Sequence, residues 1–170
     1  MDNFLDQYIA RLQNVPGVNI FAIADEGQNA VPWFELSMPT VVADLVVNEL
    51  TIPSQLSVVT AEIQKWGRFA ALTKRVWELE ERRYRAWKAA FYLAAVDPTD
   101  KPEGWKKPTE GMLEAMYRTQ PDYHRLQARV ERAEEAYNTV DTTLQAFRAK
   151  KDVLIASKRK YFEDGASTAF

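Results

Sequence analysis

The stretch RRYRAWKAAFY, Arg82 to Tyr92, concentrates more chemistry than any other part of this 170-residue chain. Arg82, Arg83, Arg85 and Lys88 offer cationic groups suited to phosphates, and Tyr84, Trp87 and Tyr92 offer flat rings suited to bases. Cations set among aromatic rings grip a single nucleic-acid strand through counterion release and stacking, which makes binding salt-dependent and sequence-tolerant. Arg75 lies seven residues before Arg82 on the same basic stripe. A second candidate is GWKKP, where Trp105 stands beside Lys106 and Lys107. A third is the run Lys158, Arg159, Lys160, with Arg148, Lys150 and Lys151 upstream. Each has a plainer reading. Tyr84, Trp87 and Phe91 also fit a buried seam with the arginines as its solvated flank, Trp105 can pack back on the helices, and late lysines complement a helix dipole.

Residues for catalysis are scarce. There is one histidine, His124, and no cysteine, so thiol nucleophiles, disulfides and cysteine-based zinc sites are excluded. Glu78, Glu80 and Glu81 stand three or four residues from Arg82, Arg83 and Arg85, the spacing of pairs within one helix. Asp97 and Asp100 lack partners in a metal-binding pattern, and no phosphate-binding loop, dinucleotide fingerprint or nucleophile elbow occurs. The expectation is a protein that is not an enzyme and uses no cofactor and no metal.

The elements that must carry these residues are helices. From Leu56 to Ala94 a non-polar position recurs every three, then four, residues: Leu56, Val59, Ile63, Trp66, Ala70, then Trp77, Tyr84, Trp87, Phe91, Ala94, broken only by Thr73 and Glu80. That period predicts one long helix over about residues 55–95. Three prolines and a glycine between Asp97 and Pro108 end it. Thr109 can cap a short helix to Thr119, and Pro121 suits the first turn of the next. That last helix carries the same spacing through Tyr123, Leu126, Val130, Ala133, Tyr137, Val140, Leu144, Phe147 and Leu154, with Lys151 as its first break. Gly165 and the small polar residues beyond it read as a frayed tail. Towards the N-terminus, residues 2–14 read as an amphipathic helix, Val18–Ala24 as a strand, Asp25–Asn29 as a turn and Val31–Met38 as extended. Thr40–Leu50 reads as helix, Pro53 as an interruption and Ser54 as the N-cap of the long helix.

The fold class expected is therefore all-α, a long antiparallel helical hairpin with short extra helices and a small mixed or irregular N-terminal segment. The division expected is an acidic segment at 1–50, a helical oligomerisation and DNA-binding region at 51–165, and a flexible tail at 166–170. Two helices cannot cover so many aromatic rings, so the N-terminal segment, other copies of the chain, or both must help. Trp66, Trp77, Tyr84, Trp87, Phe91, Tyr137, Leu144 and Phe147 are the candidate oligomerisation residues of a homo-oligomer.

Net charge is −2, but it is unevenly spread. Residues 1–64 hold one basic and eight acidic side chains, and residues 65–96 hold eight basic and three acidic ones. Strand affinity would have to come from a local patch or from repetition in an oligomer. No apolar run reaches the roughly 18 residues of a membrane span, and the acidic N-terminus is unlike a secretory signal. A cytoplasmic location and no membrane partner are expected.

The order of elements over about residues 44–160 resembles the UvsY-type recombination mediators of tailed phages. LSVVTAEIQKWGRFAALTKR, ELEERRYRAWKAAFYLAA and NTVDTTLQAFRAKKDVLIASKRK look like that family's long helix, its basic aromatic continuation and its last helix. The resemblance implies a bacteriophage protein of the host cytoplasm that binds single-stranded DNA as a ring-like oligomer. It implies a recombinase and a single-stranded-DNA-binding protein as partners, the first being loaded onto strands coated by the second. The family's DNA-contacting segment falls on Arg82, Arg83, Arg85 and Lys88. The first 40 or so residues extend beyond the family pattern. The competing expectation is a helical scaffold or assembly protein, which needs the same seams and no strand affinity.

Overall fold

The structure is a computed structural model that describes residues 4–15, 18–20, 34–36, 38–99 and 102–167. Helices dominate it: α1 (Phe4–Gln13), α2 (Met38–Leu45), α3 (Ile52–Val96), α4 (Glu110–Arg118) and α5 (Pro121–Ser167). Among the described residues there is also a two-stranded antiparallel ribbon, β1 (Val18–Ile20) on β2 (Phe34–Leu36), with Val18 opposite Leu36. The expected strand thus covers Val18–Ile20. Its continuation to Ala24 and the Asp25–Asn29 turn lie outside the described residues.

Three boundaries differ from the sequence reading, each for a local reason. The helix expected over Thr40–Leu50 runs Met38–Leu45 instead. Pro39 falls in its first turn, where the missing N–H costs no intrahelical bond. After it, the Asn48 side chain accepts from Leu50 N–H at 3.0 Å and starts a separate 3₁₀ turn, Glu49–Thr51. Pro53 does not interrupt anything, because it too sits in a first turn, that of α3. Ser54 is consequently inside α3 rather than at its N-cap, and its hydroxyl donates to the Thr51 carbonyl at 2.9 Å. At the far end α5 continues through Gly165 to Ser167. Thr109 does cap α4, accepting from Met112 N–H, and Pro121 does open α5. In the loop that leads into α4, Gly104 takes φ 87°, a left-handed conformation that glycine adopts without a Cβ clash.

The chain forms two compact units, and the division falls inside both long helices rather than near residue 50. Unit 1 takes residues 1–73 and 136–170. Its core joins Leu5 and Leu12 of α1 and Met38, Val41 and Leu45 of α2 to seam residues of α3 and α5. Trp66 is its largest buried side chain, stacked on Phe147 at 6.2 Å and edge-on to Phe69 at 5.7 Å, with its indole N–H donating to Glu62. The N-terminal helices therefore supply part of the cover that Trp66 and Phe147 require. Thr73, one of the two breaks in the α3 seam, is buried, and its hydroxyl donates to the Phe69 carbonyl at 2.9 Å. A threonine satisfied by its own helix fits an apolar position. Lys150 rather than Lys151 is the buried lysine of α5, donating to the Asp44 and Val46 carbonyls at 2.6 and 3.0 Å at the end of α2. Burial pushes its ammonium below the ordinary lysine range, and Asp44 only partly offsets this.

Unit 2 takes residues 74–135: the rest of α3, the connecting loop, α4 and the start of α5. Glu80 meets Arg129, while Tyr84 and Trp87 meet Tyr123, so rising positions in α3 face falling positions in α5 and the two run antiparallel here. Its buried apolar side chains among the described residues are few: Leu113, Tyr117 and Ala133.

Candidate nucleic-acid interface

Unit 2 is built around an aromatic cluster. Tyr123 lies 5.4 Å from Tyr117, 6.1 Å from Tyr84 and 6.5 Å from Trp87 between ring centroids, and Phe91 meets Tyr117 edge-on at 6.5 Å. The α3 seam predicts the contributions of Tyr84, Trp87 and Phe91. Tyr117 comes from α4, whose Leu113 and Tyr117 sit four apart on its inner face. Tyr84, Trp87 and Phe91 remain half-buried, and Tyr92 is 44% exposed. Burial, then the neighbouring Tyr123, pushes the Tyr84 hydroxyl above its ordinary value.

The cations divide by helical face. Arg85, Lys88 and Tyr92 succeed one another at three and four residues, so they share one side of α3, with Arg82 one turn earlier on its flank. Arg82, Arg85 and Lys88 are exposed. Arg82 Nε donates to the Glu78 carbonyl at 3.2 Å, and Arg85 pairs with Glu81 while its side chain stays 70% exposed. Lys88 Nζ stands 4.5 Å over the Tyr117 ring. A hydrogen bond to Tyr117 keeps its ammonium above the ordinary lysine range, so it is charged at neutral pH. Exposed pairs such as Arg85–Glu81 contribute about 0–1 kcal/mol, so a phosphate can take over the arginine at little cost.

Arg83 belongs elsewhere, which corrects its grouping with Arg82 and Arg85. Two residues from Arg85 is about 160° around a helix. There Arg83 Nη1 meets Glu80 Oε1 at 3.1 Å. Arg129 of α5 closes on the same carboxylate, Nη2 to Oε1 at 2.9 Å and Nε to Oε2 at 2.8 Å. Glu80, the second break in the α3 seam, is 3% exposed. The Nε contact is close but poorly directed, which leaves Glu80 Oε2 as the one buried side-chain atom without a hydrogen bond among the described residues. Arg129 carries no short-range signal, being 49 positions from Glu80.

The other predicted residues scatter. Arg75 is exposed in unit 2, as are Lys106 and Lys107 in the loop. Trp105 is half-buried, and its backbone N–H donates to the Pro102 carbonyl at 3.0 Å. Lys158 and Arg159 are exposed and belong to unit 1. Of the residues assigned to oligomerisation, Trp66, Leu144 and Phe147 are 1%, 5% and 2% exposed in the core of unit 1. The protomer itself uses their surface, leaving almost none for a neighbour. Trp77 and Tyr137 are half-buried and already engaged in interactions. Tyr84, Trp87 and Phe91 serve the aromatic cluster.

One further feature has no local sequence signal. Unit 1 holds a cavity of about 350 Å³ lined by Val46, Asn48, Gln55, Val58, Glu62 and Lys150, among others. Asn48 and Gln55 are already bonded to each other across it, and Gln55 also donates to Thr51 Oγ1 at 3.1 Å. Among the described residues no group of three or more His, Asp or Glu side chains is placed to hold a metal, and no helix is long and apolar enough to cross a membrane.

No family model matches the chain, and no match is found among curated proteins or solved structures.

Proposed function

We propose that this chain is a non-enzymatic accessory protein that binds single-stranded DNA through the Arg82, Arg85, Lys88 and Tyr92 face of α3, in the manner of a recombination mediator. The observation that carries the reading is the exposure of three cations and one ring within three turns of one helix, beside a half-open aromatic cluster. Unit 2 as a whole holds thirteen basic and twelve acidic residues, so its charge alone attracts no polyanion. Affinity comes from the local face, multiplied when several copies present it along one strand. The loading of a recombinase onto strands coated by a single-stranded-DNA-binding protein is the role the element order suggests, and it needs no nucleotide from this chain.

The competing reading, a scaffold without strand affinity, is favoured by one observation: Arg83 and Arg85 both have carboxylate partners on their own helix. Titration of a labelled oligothymidylate at several salt concentrations separates the two. Strand binding predicts affinity that falls with salt, and Arg85→Ala with Lys88→Ala lowers the log–log salt slope by about 1.4, two single-strand phosphate contacts. Absence of binding at low salt, or an unchanged slope in a variant with intact helicity, selects the scaffold.

A further inference from the structure

The face of α3 turned away from the core changes character along unit 2. Arg82 is succeeded on that side by Ala86, Ala89, Ala90 and Leu93, and then by Asp97, all exposed. Their spacing of four, three or four, and three or four residues keeps them on one side of the helix. Asp97 continues the helical path, its N–H donating to the Leu93 carbonyl at 3.1 Å, while its Oδ1 accepts from the Thr99 N–H at 2.9 Å and the carboxylate stays exposed. Leu93 is 67% exposed, on the side of α3 opposite its half-buried aromatic seam.

From this arrangement we infer that α3 pairs with α3 of a second copy, antiparallel, crossing at Ala89 and Ala90. The charges choose the occupant. A two-fold axis between residues 89 and 90 sets position i of one copy beside position 179 minus i of the other. Ala86 then faces the second copy's leucine at 93, and Arg82 stands level with its aspartate at 97. Each Arg82–Asp97 match lies about 11 Å from the crossing, at 1.5 Å per residue. The two-fold repeats it, so one helix face supplies both halves of two complementary pairs, the self-complementarity an isologous interface requires. A parallel partner would set Arg82 against arginine and Asp97 against aspartate. Alanines at the crossing let the axes approach to about 8 Å, the close end of helix packing. Leu93 supplies the apolar contact that otherwise has no cover among the described residues.

This interface uses none of the seam. It shares Arg82 with the strand-binding face but leaves Arg85, Lys88 and Tyr92 outside it, and it would supply the repetition that reading calls on. Sedimentation velocity of the full chain at low salt tests it. The expected mass is that of two copies or a multiple of two. Arg82→Asp alone and Asp97→Arg alone each weaken association by at least about tenfold, and the two together in one chain restore it. Ala89→Gln with Ala90→Gln widens the crossing without changing charge or helix propensity much, and is expected to give single copies that still bind oligothymidylate through Arg85 and Lys88. A single-copy mass for the unaltered chain overturns the proposal. So does a doubled mass that survives the glutamine substitutions, or a double charge reversal that fails to restore what each single reversal removed. Oligothymidylate binding in the glutamine variant is scored separately, so loss of the pair and loss of the strand site are told apart.

Discussion

Replacing Glu80 with leucine and, separately, Arg129 with alanine should have very unequal effects, although both remove the same ion pair. Glu80 is 3% exposed and fills a seam position, whereas the side chain of Arg129 is 43% exposed. Arg129→Ala leaves a buried carboxylate held by Arg83 at 3.1 Å and with an oxygen already lacking a directed bond. Breaking a buried pair this way costs about 3–5 kcal/mol. Arg83 is still present, so the lower end, about 3 kcal/mol, is expected. Glu80→Leu instead removes the desolvated charge and places an apolar side chain where the heptad asks for one. Arg129, already 43% exposed, can then turn to water. Substitutions of this kind range from neutral to stabilising by about 1–4 kcal/mol. A chain of this length shifts its melting temperature by about 2–4 °C per kcal/mol. Arg129→Ala should therefore melt about 6–12 °C lower, and Glu80→Leu at or above the unaltered chain. Thermal unfolding monitored by circular dichroism decides. Equal destabilisation by the two variants would refute the premise that desolvation of Glu80 offsets most of its attraction to the arginines.

Two other outcomes rest on single groups. Lys150→Met should cost about 1–2 kcal/mol, because two carbonyls at the end of α2 lose their donor while water can reach part of the site. Hydrogen exchange should quicken at Val41–Leu45 and leave α4 unchanged, and uniform or absent quickening would contradict the clamp. Tyr84 has a folded-state pKa above its ordinary value of 10.0, so the unfolded chain gives up that proton first. Its contribution is complete below that value and shrinks as the pH climbs past it. Tyr84→Phe should flatten the loss of stability between about pH 9 and about pH 11, read from urea midpoints, and an unchanged slope would count against burial of the hydroxyl.

The periodicities of α3 and α5 are legible in the sequence, since a 3–4 spacing sustained over so many turns leaves no other regular structure. Even the two breaks, Thr73 and Glu80, kept their places in the seam. The Thr109 cap and the position of Pro121 came from side-chain chemistry confined to one turn. Near Pro39, Pro53 and Ser54 the starting turn is not legible: proline both ends and begins helices, and a short window does not say which. Trp66 and Phe147 read equally well as surface for a neighbour or as core, because an apolar stripe does not name what covers it. The answer depended on α1 and α2 folding against them.

Sequence by itself determined that this chain is helical, where its long helices lie, and that basic and aromatic residues crowd into Arg82–Tyr92, because each of these depends on residues within a few turns of one another. Only the tertiary structure decided that Arg83 turns inward to Glu80 while Arg85 and Lys88 stay outside, that Arg129 completes the ion cluster, and that Lys150 rather than Lys151 is buried. Those outcomes hang on the register between segments far apart in the chain, and register is set by the packing of whole faces, which no local window contains.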